Sequence, residues 1–343
     1  MTRYLLVGNP TAQSGKARAR IDRTLDAIIA RGIRVDFLPT KPAGATVEAV
    51  SIAVANTAYD ACIYLGGDGT FHEVGRGLLA AGTDTPMGMM PSGTANDQGR
   101  SFGIDSAADA LERNLDIIGE GHVTRLDGGQ LQRLDDDGEV IAQTVFFDSA
   151  GWGMQPDILA ARNQDREAIS GFPLLRDIYR DKAVYVGAAL DQLLQSYVEP
   201  VKFSAEVTID GVTHQLVGLT DLIINATAIY AGSWVLDRGG LPDDGRMELV
   251  PMHGRREWIS KAIRDHAESP VWQEDLDLFG VSHSDSHPGA RFDITLSRPE
   301  GEERVRSQVD GEEWVAGNVF RVDVLHGALP LITRSDWSPP WMG

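Results

Sequence analysis

The chain has 343 residues, 42% of them hydrophobic, enough to fill the core of one large or two ordinary domains. Its 31 Lys and Arg against 50 Asp and Glu leave a formal charge of −19, which argues against a general affinity for nucleic acid or anionic surfaces, and a single cysteine excludes a disulfide framework. No stretch reaches the ~18 consecutive apolar residues of a membrane span, and the first apolar run is too short for a secretory leader, so a soluble cytoplasmic protein is expected.

Tyr4 to Val7 reads as a first strand, closed by Gly8-Asn9-Pro10 and followed by Gln13-Ser-Gly-Lys16. That turn is not a P-loop, because the Gly-x4-Gly-Lys-Ser/Thr spacing is absent and Ala17 follows Lys16. Ile21, Leu25, Ile28 and Ile29 recur at helical spacing, which predicts a helix packed on a sheet. Lys16, Arg20 and Arg23 form a basic stripe on it, read either as a solvated face or as a patch for phosphate or anionic lipid. Arg34 to Leu38 gives a second strand ending at Pro39-Thr40, and Thr46 is placed to cap a helix running to Asn56.

Ala61 to Leu65 is an apolar run of the kind that forms a strand buried on both faces, and it ends in Gly66-Gly67-Asp68-Gly69-Thr70 before a helical pattern resumes at Phe71. Thr85 to Met90 repeats the pattern, with Pro91-Ser92-Gly93-Thr94-Ala95-Asn96-Asp97 as the turn and Gln98 to Phe102 as a short helix. Glycines let backbone approach a bulky ligand, and a helix N-terminus offers unpaired N–H groups to phosphate. A carboxylate at such a place, here Asp68, repels phosphate unless a divalent cation lies between, so the residues point to a nucleotide with Mg²⁺. Asp105 is placed to cap one more helix through Leu111, Leu115 and Ile118.

Beyond Gly119-Glu-Gly121 strand-like segments take over: Val123 to Leu134, Val140 to Phe147, Val201 to Ile209, Leu216 to Asn225, Met247 to Val250, Leu276 to Val281, Phe292 to Leu296 and Val305 to Val309. Helical inserts are expected near 156 to 168, 173 to 196 and 255 to 267. The fold class is therefore an α/β nucleotide-binding domain with a parallel sheet, followed by a mostly antiparallel β-sandwich domain. Its expected boundaries are 1 to 120 and 121 to 317, with about 318 to 343 returning to the first domain. His283-Ser-Asp-Ser-His287 has the composition of a metal site but reads as a polar loop, and Trp337-Ser-Pro-Pro-Trp341 has no evident purpose.

Gly66-Gly-Asp-Gly-Thr70 together with Gly93-Thr-Ala-Asn-Asp97 resembles the catalytic domain of the diacylglycerol kinase family, the bacterial soluble lipid kinases related to sphingosine kinases. Gly-Gly-Asp-Gly alone is shared with NAD kinases and phosphofructokinases; the pair at this spacing is more specific. The resemblance implies phosphoryl transfer from ATP to a lipid hydroxyl, diacylglycerol first. A sphingoid base or other lipid as acceptor, an NAD kinase-like enzyme and a non-catalytic nucleotide-binding module stay open.

By the same resemblance Asn9, Thr40, Gly66, Gly67, Asp68, Gly69, Thr70, Glu73, Gly93, Thr94, Asn96 and Asp97 line the nucleotide site, with Asp68 in the catalytic Mg²⁺ network. Asp127, in Arg125-Leu-Asp-Gly-Gly129, is implied as an active-site acid coupled to Asp68, and Glu312, in Val309-Asp-Gly-Glu312, as the general base. Leu241-Pro-Asp-Asp-Gly-Arg246 resembles a structural Mg²⁺ loop, with the Asp244 side chain and the Leu241 and Arg246 carbonyls as ligands. The partner is then a lipid met at the membrane surface by transient peripheral association, without a transmembrane segment or nucleic acid, and a homodimer is compatible with it. Gln98 departs from the pattern, since many members carry an aromatic residue directly after Asn-Asp.

Overall fold

The computed structural model describes residues 2–12, 16–93, 95–107, 109–153, 202–230, 234–235, 237, 239–254, 257, 285–299 and 304–339. The expected helical inserts at 156 to 168 and 173 to 196 and the expected strand at 276 to 281 lie outside these residues, as does all but residue 257 of the insert expected at 255 to 267. The chain divides into two compact units, Met1–Gly128 with Leu325–Gly343, and Gly129–Val324.

The first unit alternates strand and helix: β1 (Arg3–Gly8), α1 (Lys16–Ala30), β2 (Arg34–Pro39), α2 (Ala45–Asn56), β3 (Ala61–Gly66), α3 (Asp68–Ala81), β4 (Met87–Pro91), α4 (Asp97–Ser101) and α5 (Leu111–Glu120). The strands lie in the order β2-β1-β3-β4 and pair in parallel, and they are nearly continuous apolar runs because helices are wound between them. In β3, Ala61 to Leu65 are all buried, Cys62 among them, and burial pushes its thiol far above the ordinary range, so it is an inert core residue. One core gathers Leu6, Ile21, Ile28, Ile63, Leu65, Met90, Leu115 and Ile118. Ile29, expected on the apolar face of α1, is instead 60% exposed, since it sits one position past the buried Ile28.

Local chemistry corrects three expectations here. Helix α3 begins at Asp68 rather than Phe71, with Gly67 as its N-cap, so half of the glycine motif is the first helical turn. Thr46 is not a cap: Gly44 precedes α2 in the left-handed region, and the Thr46 hydroxyl donates to the Lys41 carbonyl while accepting from the Lys41 N–H. Asp105 does not cap α5 either, because its carboxylate accepts from the Ala107 N–H and pairs with Arg113, and the helix begins only at Leu111.

The second unit begins within β5 (Val123–Leu134) and continues through β6 (Val140–Phe146), β7 (Ser149–Gly153), β8 (Phe203–Ile209), β9 (Val212–Leu219), β10 (Asp221–Asn225), β11 (Ile229–Tyr230), β12 (Trp234–Val235), β13 (Met247–Met252), β14 (His287–Gly289), β15 (Arg291–Ser297), β16 (Ser307–Val309) and β17 (Glu312–Trp314). The last strand, β18 (Val319–Ile332), starts in this unit and ends in the first, where Leu331 stands opposite Met87 of β4. One group of strands runs antiparallel in the order β9-β8-β15-β18, with β5 and β6 as a hairpin, and a second antiparallel sheet is ordered β14-β13-β10-β7-β16-β17. Their inner faces share a core in which Trp152, Leu222 and Leu249 of the second sheet meet Val207, Phe292 and Phe320 of the first. The segment expected as one strand from Leu216 to Asn225 is two strands in different sheets. The chain breaks at Thr220, whose backbone N–H bonds the Met252 carbonyl, just after Gly218 at φ +72°.

Candidate active site

The four parallel strands of the first unit end in register: Gly8 stands opposite both Pro39 and Leu65, and Gly66 opposite Pro91. Asn9, Thr40, Gly67 and Ser92 therefore follow their strands at one carboxyl edge, the edge at which open α/β sheets take ligands. Thr40 is tied there by its N–H to the Gly8 carbonyl at 3.0 Å, and the Asn9 carboxamide oxygen accepts from the N–H and hydroxyl of Thr11.

The two glycine turns are built against each other. The Ser92 N–H bonds the Gly66 carbonyl at 2.6 Å, and the Gln98 N–H donates to Asp68 Oδ1 at 3.3 Å. Asn96 holds the second turn from within: its side chain accepts from the Gly93 N–H at 2.7 Å and donates to the Gly93 carbonyl at 2.9 Å, while its backbone adopts φ +55° before α4 starts at Asp97. Asn96 and Asp97 are buried, Glu73 is half-buried on α3, and Thr94 lies outside the described residues. The charge of half-buried Asp68 is also felt in the core: the Tyr64 hydroxyl is raised well above its ordinary value by burial and then by that charge. Gln98, which stands where an aromatic residue is common in the family resembled, is buried and serves Asp68 through its backbone.

Asp127 is fully buried on β5, and its Oδ1 takes two bonds, from His326 Nδ1 at 2.8 Å and from the Gly327 N–H at 2.7 Å. Nothing in the sequence announces His326, because it lies 199 positions from its partner in a stretch of mixed strand and turn character.

Glu312 and Asp244 belong to the second unit. Glu312 opens β17 as an exposed side chain that makes no ion pair among the described residues, whereas Glu313 pairs with Arg306 at 3.3 Å. The turn before it is fixed by Asp310, a residue the motif contains but whose role only the structure discloses. The Asp310 carboxylate accepts from the backbone N–H groups of Phe147, Asp148 and Ser149, and Gln308 Oε1 accepts from the Gly311 N–H. Asp244 Oδ1 accepts from the Arg246 N–H at 2.9 Å, and the Arg246 guanidinium donates to the Pro288 carbonyl. Close by, burial and then Asp237 and Asp244 push the Glu248 carboxyl up to about 8, so the loop carries an excess of negative charge that a hard divalent cation would relieve. Among the described residues no group of three acidic, histidine or cysteine side chains is spaced to hold a metal, so an ion here depends on backbone carbonyls such as those of Leu241 and Arg246.

Within the basic stripe on α1, one residue is tied down. Arg20 turns inward and donates to the carbonyls of Ser106 and Ala107, which fastens the loop ahead of α5. His287 lies in β14 rather than in a polar loop, its ring 4.7 Å from that of His214. Trp337 acquires a purpose: its indole N–H bonds the Ser101 carbonyl at 3.1 Å and its ring packs on Phe102, bracing α4.

Residues 3–131 match the family model of the diacylglycerol kinase catalytic domain. Curated relatives named diacylglycerol kinase include those of Staphylococcus saprophyticus and Staphylococcus aureus, each 32% identical over 130 residues, or 38% of this chain. The chain spans about two fifths of the length of these relatives, 41% and 40% respectively. Among solved structures, a diacylglycerol kinase of Bacillus anthracis superposes with a TM-score of 0.66 at 19% identity over 97% of both chains. Yeast NADH kinase complexed with NADH superposes at 0.51 with 11% identity, over 100% of this chain and 85% of that one. At such identities the structures show a shared fold. Over residues 3–131, then, the chain is similar to the diacylglycerol kinase catalytic domain.

Proposed function

We propose that the protein is an ATP-dependent lipid kinase that transfers the γ-phosphoryl group to a lipid hydroxyl, with diacylglycerol the first acceptor. The observation that carries this reading is the mutual fastening of the two glycine turns at the carboxyl edge of the parallel sheet, with Asp68 bonded to the backbone of the second. The family match over residues 3–131 and the relatives named diacylglycerol kinase support it.

In this reading the N–H groups opening α3 and the turn at Gly93 to Asp97 receive the nucleotide phosphates, with Asn9, Thr40, Thr70, Glu73 and Thr94 around them. Asp68 has the hard oxygen donors that Mg²⁺ prefers, and when bound the ion would spread the charge of the transferring phosphoryl group. Asp244, with the carbonyls of Leu241 and Arg246, would hold a second, structural Mg²⁺. Glu312 takes the proton of the attacking hydroxyl as the oxygen–phosphorus bond forms and ADP leaves with the electron pair. Asp127 supports the charge arrangement near the reacting groups. No described helix is long and apolar enough to cross a membrane, and the acceptor is reached from the aqueous side by transient contact.

The test supplies labelled ATP and Mg²⁺ with diacylglycerol, a sphingoid base or extracted membrane lipid in mixed micelles, and NAD in a parallel assay for NADP. Label in phosphatidic acid supports the proposal. Label in another lipid changes the acceptor, NADP formation moves the protein to the NAD kinases, and nucleotide binding without any turnover leaves a non-catalytic module.

A further inference from the structure

Asp127 is a carboxylate with almost no access to water, its side chain 1% exposed, yet it bonds a histidine whose side chain is 67% exposed. The arrangement is local and built. His326 and Gly327 are consecutive in β18, and both aim a nitrogen at the same atom, Oδ1, at 2.8 and 2.7 Å. Gly327 adopts φ +61°, a backbone conformation that L side chains rarely take, and this twist accompanies the convergence of the side chain of one residue and the N–H of the next. An ionised carboxylate only accepts, so Nδ1 carries the hydrogen and Nε2 is the nitrogen left for solvent or ligand. Two donors on one oxygen hold the carboxylate against rotation. Arg125, on the same strand as Asp127, donates to the Gly327 carbonyl at 3.4 Å and pairs with Asp84 at 2.9 Å.

We propose that His326 is a positioning residue of the phosphoryl-transfer site: by donating from Nδ1 it fixes the orientation in which Asp127 serves the reaction, and it is the pair's proton-exchanging contact with solvent. This rests on the kinase reading.

The experiment measures kcat and KM for ATP from about pH 5.5 to 9, across the range in which imidazole titrates, for wild type, His326→Ala and His326→Asn with diacylglycerol in mixed micelles. The alanine variant should lose about tenfold or more in kcat at unchanged KM, as removal of an orienting partner does. Asparagine, whose amide nitrogen takes the place of Nδ1, should recover most of kcat while abolishing the acid limb of the pH profile. A merely structural role moves neither the limb nor its rescue. An alanine variant that melts like wild type and matches its kcat and pH profile overturns the proposal; so does an asparagine variant with the acid limb intact. Absence of turnover by wild type overturns the kinase reading and this role together, an outcome distinct from both.

Discussion

Gly93 faces Gly67 so closely that a β-carbon added to Gly93 would stand 2.5 Å from the Gly67 Cα, and one added to Gly67 would stand 3.1 Å from the Gly93 Cα. The first glycine turn can touch the second only because neither has a side chain at this point. Gly69, in contrast, has nothing within 4 Å of its would-be β-carbon and sits in the first turn of α3. The two positions separate a glycine that packing requires from one that packing does not. Gly93→Ala should destabilise the protein by about 1–3 kcal/mol, because backbone rather than a movable side chain must yield. Gly69→Ala should leave stability unchanged or raise it by about 0.5–1 kcal/mol, while ATP–Mg²⁺ affinity falls if phosphate approaches that backbone. Chemical denaturation and titration calorimetry on the two variants check this, and equal stability losses would refute it.

Asp68→Asn keeps an acceptor for the Gln98 N–H but removes the charge. Under the kinase reading kcat should drop by about 100-fold or more, a magnitude typical of groups that stabilise developing charge, with the melting temperature little changed. A fully active Asp68→Asn enzyme would remove Asp68 from the Mg²⁺ network.

Asp310→Ala leaves the N–H groups of Phe147, Asp148 and Ser149 without their carboxylate acceptor. A loss of about 2–4 kcal/mol in urea unfolding is expected, since charge-assisted bonds to partly buried donors are being removed. Asp310→Asn should recover part of it. The turnover lost beyond that explained by unfolding measures how far this turn sets the aim of Glu312, and a stability change below about 0.5 kcal/mol would show the anchor to be idle.

His287 is held below its ordinary value near 6.5 by burial and then by the adjacent His214, while Asp285 opposes the shift. A histidine with a lowered folded value binds protons more readily when unfolded. Its contribution to stability is thus present above about 6.5 and lost as pH falls through the folded value. Stability measured by denaturant midpoint should decline on acidification below pH 6.5, and His287→Gln should flatten that decline. An unchanged slope in the variant would assign the acid sensitivity to other groups.

The architecture was legible because its signals are short-ranged. An all-apolar run such as Ala61 to Leu65 followed by Gly-Gly-Asp-Gly can hardly be anything but a buried strand and a turn, and its recurrence at Thr85 to Met90, observed as the strand Met87–Pro91, implied a parallel sheet. Element ends were less so. Thr46 and Asp105 have the chemistry of helix caps, yet each found competing partners nearby, the backbone of Lys41 in one case and Ala107 with Arg113 of α5 in the other. The strand Ser149–Gly153 was hidden because its small residues carry no alternation, all of them being buried between neighbours. At the candidate site the glycine turns could be read as motifs, but the tie between Asp127 and His326 could not, since no local pattern relates residues that far apart.

Residues 129–324 are made between the two segments of the first unit. At about 5–20 residues per second on the ribosome, that is a delay of roughly ten to forty seconds during which the first 128 residues have no strand β18. Throughout that interval Asp127 lacks His326 and Gly327, Thr124 lacks the hydroxyl of Thr333, and Ser101 lacks the indole of Trp337. The nascent nucleotide-binding half therefore carries an open sheet margin and an unsupported α4 until the closing strand emerges. Truncations and C-terminal fusions that disturb β18 act on the part of the protein that was synthesised first.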